Sequence, residues 1–141
     1  MKIEDLLRES ELFRSLGRNE LSLIAQSTRR ESYDAGRLIV REGHVGRAMF
    51  LIVSGRVEVV RDIDKGRPQF VASLGPGDFF GEIASVKDMP RSASVRAIEE
   101  TRCLVIWRAD FDAFIAQFPA AAAKIEAAAK ARLADSGQGD H

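Results

Sequence analysis

The sequence predicts an α+β fold that is mainly β: an antiparallel β-roll or jelly roll with short helices before it and two helices after it. Three observations carry this. Near the start, Leu6, Leu7, Leu12, Phe13, Leu16, Leu21, Leu23 and Ile24 recur at spacings near three and four, the period of a helix with one buried face. From residue 29 the period shortens, and short runs rich in β-branched or aromatic residues are punctuated by glycines. From Ala109 onward the chain becomes alanine-rich, a composition of high helix propensity.

Residues 3–27 predict two or three short helices. Ser10 can cap one segment, and Gly17 and Asn19 break the pattern before another begins at Glu20. Strands are expected at 38–40, 48–54, 56–61, 69–74, 94–97 and 102–107. Arg56-Val57-Glu58-Val59-Val60 partly alternates, as a half-buried strand does. Ser54-Gly55 reads as a tight hairpin turn and Asp64-Lys65-Gly66 as a longer loop. Many short strands joined by frequent turns give a barrel or jelly roll. Ala109-Asp110 can start a helix that runs to Gln117 or Phe118, and Pro119 suits the first turn of a second, over 120–134. The largest apolar side chains of that second helix are Ile125 and Leu133, so it should pack lightly and be able to move. The polar tail 135–141 is expected to be disordered. The organisation expected is one domain over 1–134, with helices in 3–27, the roll in 29–107 and helices in 109–134.

A length of 141 residues fits one domain with one core. Twenty-one basic residues balance 21 acidic ones, which disfavours a nucleic-acid binder. Cys103 lies in the apolar run Cys103-Leu104-Val105-Ile106-Trp107 and reads as a small buried hydrophobe. As the single cysteine it cannot form an internal disulfide. No apolar run approaches membrane-spanning length and the start has no signal-peptide core, so a cytoplasmic location is the default expectation. His44 and His141 are too far apart in the chain to suggest a metal site, and no nucleophile stands with an aligned base. Neither an enzyme nor a metal or other cofactor is expected.

The most informative stretch is 78–97. Gly81 and Glu82 open a short helix, and Arg91 follows nine residues after Glu82, behind Pro90 and before Ser92 and Ala93. A helix N-terminus presents free N–H groups and partial positive charge to an anion. An arginine adds a permanently charged fork that fits phosphate. Glu82 repels phosphate but accepts hydrogen bonds from neighbouring hydroxyls. A sugar phosphate has both features.

Gly81-Glu82-Ile83-Ala84 followed by Pro90-Arg91-Ser92-Ala93 resembles the phosphate-binding cassette of cyclic nucleotide-binding domains, the sensors of catabolite activators, protein kinase A regulatory subunits and cyclic nucleotide-gated channels. The resemblance extends over roughly 11–134, through Gly43 with Gly46, Met49 to Val57, and Leu74-Gly75-Pro76-Gly77. It implies a cassette helix within the roll and the following roles. Arg91 binds the phosphate and Glu82 accepts from the ribose 2′-hydroxyl. Gly81, Ile83 and Ala84 offer backbone N–H groups, and Ser92 and Ala93 complete the cradle. Ser92 leaves cGMP open, while related bacterial domains with serine there resemble cAMP binders. Val95 and Leu74, with Val59, wall the base. Phe80 adjoins the cassette and is counted with it, although with Phe79 it reads first as core. Counted without gaps from Arg91, Arg132 falls where bacterial channels carry an arginine over the purine.

The reading is therefore a cyclic nucleotide sensor, cAMP preferred, whose last helix swings in on binding and signals to an unknown downstream protein or domain. The alternatives are a regulatory domain belonging to a channel, kinase or transcription factor, and a degenerate interaction module. The presence of both Glu82 and Arg91 argues against the last. A helix-turn-helix domain is not expected to follow within this polypeptide, so specific DNA binding by it is not expected.

Overall fold

The computed structural model describes residues 2–43, 48–81 and 93–135. In chain order the elements are α1 (Ile3–Glu9), α2 (Arg18–Gln26), β1 (Thr28–Tyr33), β2 (Leu38–Val40), β3 (Ala48–Ser54), β4 (Val57–Arg61), β5 (Gln69–Leu74), β6 (Phe79–Gly81), β7 (Ser94–Ala97), β8 (Thr101–Trp107), α3 (Arg108–Gln117) and α4 (Pro119–Asp135). The strands form two antiparallel sheets, β1-β8-β3-β6 and β2-β7-β4-β5. Every connection except β4–β5 passes from one sheet to the other, which makes the strands a roll.

Three layers result, and the side-chain alternation of strands explains them. In the first sheet Met49, Leu51, Phe79, Leu104 and Ile106 face the helices, where they meet Leu7, Phe13, Ile24, Phe111, Phe114 and Ile125. The residues between them, Ala48, Ile52, Phe80, Cys103 and Val105, face the second sheet and meet Val57, Val59 and Val95. Strands β3 and β8 are thus covered on both faces, so their sequences are continuous apolar runs instead of alternating ones.

Local chemistry sets the ends of the helices. The Ser10 N–H donates to the Leu7 carbonyl and closes α1. Its hydroxyl then accepts from the Leu12 N–H at 3.1 Å, which starts the turn that delivers Leu12, Phe13 and Leu16 to the core. At α2 the Glu20 carboxylate accepts from the Gly17 N–H at 2.7 Å, satisfying a donor at the helix start. Asn19 lies inside α2, where a break was expected. The helix begins at Arg18 because the Gly17–Glu20 bond caps it there.

Other expectations also need correction. Ser54-Gly55 does not form a hairpin, because β3 and β4 belong to different sheets. Gly55, at φ +96°, turns a corner against the Glu100 carbonyl and Thr101, and leaves no room for a Cβ. The true hairpin is β4–β5, whose loop carries a 3-10 turn at Ile63–Lys65, over the expected Asp64-Lys65-Gly66 loop. Strands β1 and β6 were not anticipated. In β1, Arg29, Arg30, Glu31 and Ser32 are all exposed, and among the described residues the strand is an edge paired with β8 alone. Charge on an edge strand discourages pairing with other chains, and it hides the strand from an apolar-pattern reading. Helix α4 extends to Asp135, one residue into the segment expected to be disordered.

Helix α4 touches the core through Ala121, Ile125 and Ala129, a stripe with a four-residue spacing. Lys124 Nζ lies 3.4 Å from Glu20 Oε1 beside that stripe. Burying one isoleucine contributes about 1.5–3 kcal/mol, and alanines add little.

Burial pushes the Cys103 thiol from 9.0 up to about 12. It also pushes the half-buried Tyr33 hydroxyl up to about 12, with Cys103 and Glu31 adding and Arg37 opposing. Both folded values lie above the unfolded ones, so their contribution is fully present below about pH 9 and is lost as pH rises toward about 12. Denaturant midpoints should therefore fall between about pH 9 and about pH 12, and a thiol reagent should leave Cys103 unmodified until the protein unfolds. Rapid modification of the folded protein would contradict this burial.

Candidate functional site

The site is built where the chain leaves β6 and rejoins at β7. Phe80 is buried and stacks on Phe50, with ring centroids 4.8 Å apart and planes 5° from parallel. Its side chain is thus committed to packing. Gly81 then adopts φ +97°. A Cβ there would meet the Ala48 carbonyl oxygen at 2.5 Å and the Phe50 ring at 2.9 Å. Only glycine permits both the left-handed backbone and the close approach. The chain turns out of the first sheet at this residue and returns at Ala93 in the second.

The return point is also fixed. Ser94 is fully buried, and its hydroxyl accepts from the Glu42 N–H at 2.8 Å. Glu42 Oε1 in turn accepts from the Asp62 N–H at 2.7 Å. Asp62 is at φ 58°, a non-glycine residue in the left-handed region. Three loops are therefore tied together at the end of the roll where β7 begins. Outside the roll, Arg96 stands opposite Glu58 on the neighbouring strand, with Nε and a terminal nitrogen 2.9 and 2.8 Å from the same carboxylate oxygen.

Inside the roll, Val95 pairs with Val59 on one side and Val40 on the other. Val59, Phe80, Ala93 and Val95 form one buried cluster, with Leu74, Val71 and Ala72 packed partly buried against it. The structure thus brings together five residues expected from the sequence (Val59, Leu74, Phe80, Ala93 and Val95) and sets Gly81 next to them. Glu82, Ile83, Ala84, Arg91 and Ser92, with the expected cassette helix, lie outside the described residues, as does His44. Arg132 falls within α4, but its side chain lies outside what is described.

The sequence reading missed the Glu42–Ser94 bond, which spans 52 positions. It also missed the charged residue Arg61 on β4. Its odd-numbered place after Val57 and Val59 was a usable signal, because alternation gives all three the same face.

The described residues form a two-sheet roll with an apolar interior, which the chain leaves at a glycine turn and rejoins at a tied strand. Residues 30–118 match the family model for the cyclic nucleotide-binding domain. The chain belongs to the cyclic nucleotide-binding domain family, a family of regulatory sensors and not of catalysts. It is 34% identical over 130 residues to the cyclic AMP receptor protein of Thermus thermophilus, covering 92% of this chain and 60% of that protein. It is 34% identical over 116 residues to cGMP-dependent protein kinase 2 of Homo sapiens, covering 81% of this chain and 15% of that protein. Its fold is similar to the regulatory domain of Toxoplasma gondii PKA crystallised with cAMP, with a TM-score of 0.69 and 31% identity over 80% of this chain and 43% of that one. The chain thus spans 60% or less of the length of each of these relatives. Among the described residues, no helix is long and apolar enough to cross a membrane.

Proposed function

We propose that residues 1–134 form one sensor unit that binds a cyclic nucleotide, cAMP in preference to cGMP, between its two sheets. The observation that carries this is the shared interior cluster. Within a chain of this family, Val59, Val95, Phe80 and Ala93 pack in one apolar cluster with Leu74 against it, and the segment bearing Glu82 and Arg91 begins and ends beside it. In this reading Arg91 grips the phosphate, aided by backbone N–H groups of Gly81, Ile83 and Ala84 and by Ser92 and Ala93. Glu82 holds the ribose 2′-hydroxyl. Leu74 and Val95 contact the base. The site binds and releases its ligand without making or breaking bonds, and it uses no metal.

The relay is through α4. That helix packs on the helix side of the first sheet, across the sheet from the roll interior. Bound nucleotide would draw its C-terminal end inward so that Arg132 covers the purine. The stronger binding of the closed state would supply the shift. A neighbouring domain or a separate protein would read the new position.

Hydrogen exchange with and without saturating cAMP tests this reading. Amides of 82–92 and of 120–134 should both change their exchange on saturation. Slowing in 82–92 alone would leave the binding site standing and contradict the relay through α4.

A further inference from the structure

We propose that Arg61 is a further, specificity-determining ligand contact that donates to the acceptor edge of a purine and raises the affinity of the site for cGMP relative to cAMP. The inference rests on the nucleotide reading above and names a residue and a selectivity that it does not contain.

Arg61 ends β4. Val57 and Val59, at the same parity, face the roll interior, so Arg61 shares their face. The irregularity between Val59 and Val60 does not disturb this. Val59 pairs with Ala72 and Val60 with Phe70, so the extra residue, Val71, is on β5. On its other side β4 stays in register with β7, with Val59 opposite Val95 and Val60 opposite Ser94. That ladder ends at the pair Val60–Ser94, so Arg61 is the next residue on β4, at the end of the roll where the chain returns from the cassette. The residue therefore stands at the edge of the apolar interior, next to the walls expected for the base.

Its chemistry there is incomplete. The Arg61 Nε is buried and has no hydrogen-bond partner among the described residues. A buried N–H without an acceptor is disfavoured, and such groups in native structures call for an explanation. The nearby carboxylates are engaged elsewhere: Glu42 accepts from the Asp62 N–H at 2.7 Å, and Asp62 Oδ1 lies 3.7 Å from Lys65 Nζ. A ligand atom inside the roll would supply the missing acceptor.

The class of acceptor follows from the guanidinium. It has donors only. Guanine offers O6 and N7 side by side, both acceptors, which match the arginine fork. Adenine offers N7 beside an N6 amino group that is itself a donor. An arginine at the base wall is thus neutral or unfavourable toward adenine and favourable toward guanine. Acting against a site that otherwise prefers cAMP, Arg61 would narrow the preference.

Calorimetric titration of the whole chain with cAMP and with cGMP tests this, on the wild type, Arg61→Met and Arg61→Lys. Methionine keeps a similar apolar stem without donors, and lysine keeps the charge without the fork. We expect Arg61→Met to weaken cGMP about tenfold, the low end of what a two-point arginine–guanine contact contributes, and to change cAMP by less than about threefold. Arg61→Lys should lose most of the same cGMP affinity. Unfolding midpoints of the variants, read in parallel, identify a folding defect, which cannot by itself change the ratio of the two affinities. Equal losses for both nucleotides, or no loss for either, would overturn the Arg61 contact and leave the nucleotide reading intact. Failure of the wild type to bind either nucleotide would overturn both.

Discussion

Arg91→Ala should abolish most of the affinity for cAMP. In the proposed site Arg91 would place its full positive charge on the phosphate through a charge-assisted contact. Truncating one partner of a buried hydrogen-bonded charge pair costs about 2–5 kcal/mol, roughly thirtyfold or more in affinity. A loss of folding would also lower binding. Calorimetric titration and a denaturant midpoint, measured on the same preparation, separate the two effects. A variant that unfolds at the wild-type midpoint and still binds cAMP within threefold of wild type would remove Arg91 from the site.

Gly81→Ala should damage both stability and binding. The new Cβ would require a left-handed backbone from an alanine, at φ +97°, and would press on the Ala48 carbonyl at 2.5 Å and the Phe50 ring at 2.9 Å. The carbonyl belongs to a paired strand and cannot yield cheaply, and Phe50 is stacked on Phe80. Strained backbone and overpacking each cost about 1–3 kcal/mol, so a destabilisation on the order of 2–6 kcal/mol is expected by denaturant unfolding. The same strain moves the start of the cassette, so the folded fraction should also bind cAMP more weakly. A Gly81→Ala protein of unchanged midpoint would show that the turn at β6 relaxes more easily than its geometry implies.

What the sequence made legible follows from where each signal lies. Strands β2, β3, β5 and β7 were readable to the residue, since their β-branched runs end at glycines or polar turns that are themselves local features. The helix pair α3 and α4 was readable for the same reason, through Pro119 and the alanine run. Strand β1 was not, because an exposed edge strand needs no apolar face and Arg29 to Ser32 carry none. Strand β6 was hidden by its length and by Gly81, which suits a helix start as well as a strand end. The Ser54-Gly55 error is of another kind. A two-residue turn specifies a change of direction, but which sheet the next strand joins is decided by long-range pairing, here of β4 with β7 and β5. The cassette was read from particular residue types at a fixed spacing, and its residues 82–92 lie outside the described ones. The tie from Ser94 through Glu42 to Asp62 was not legible, since it joins three loops that only the register brings together. Arg61 was legible in parity and illegible in consequence, because its unmet donor becomes apparent only once the packing around it is known.

The measurement that tests the central claim most directly is calorimetric titration of the unmodified chain with cAMP and, separately, with cGMP. The account predicts saturable binding of one nucleotide per chain, tighter for cAMP, with cGMP measurably bound. Absence of binding by both nucleotides to a protein that unfolds cooperatively would contradict it, and would mean that the roll and its cassette serve a different ligand.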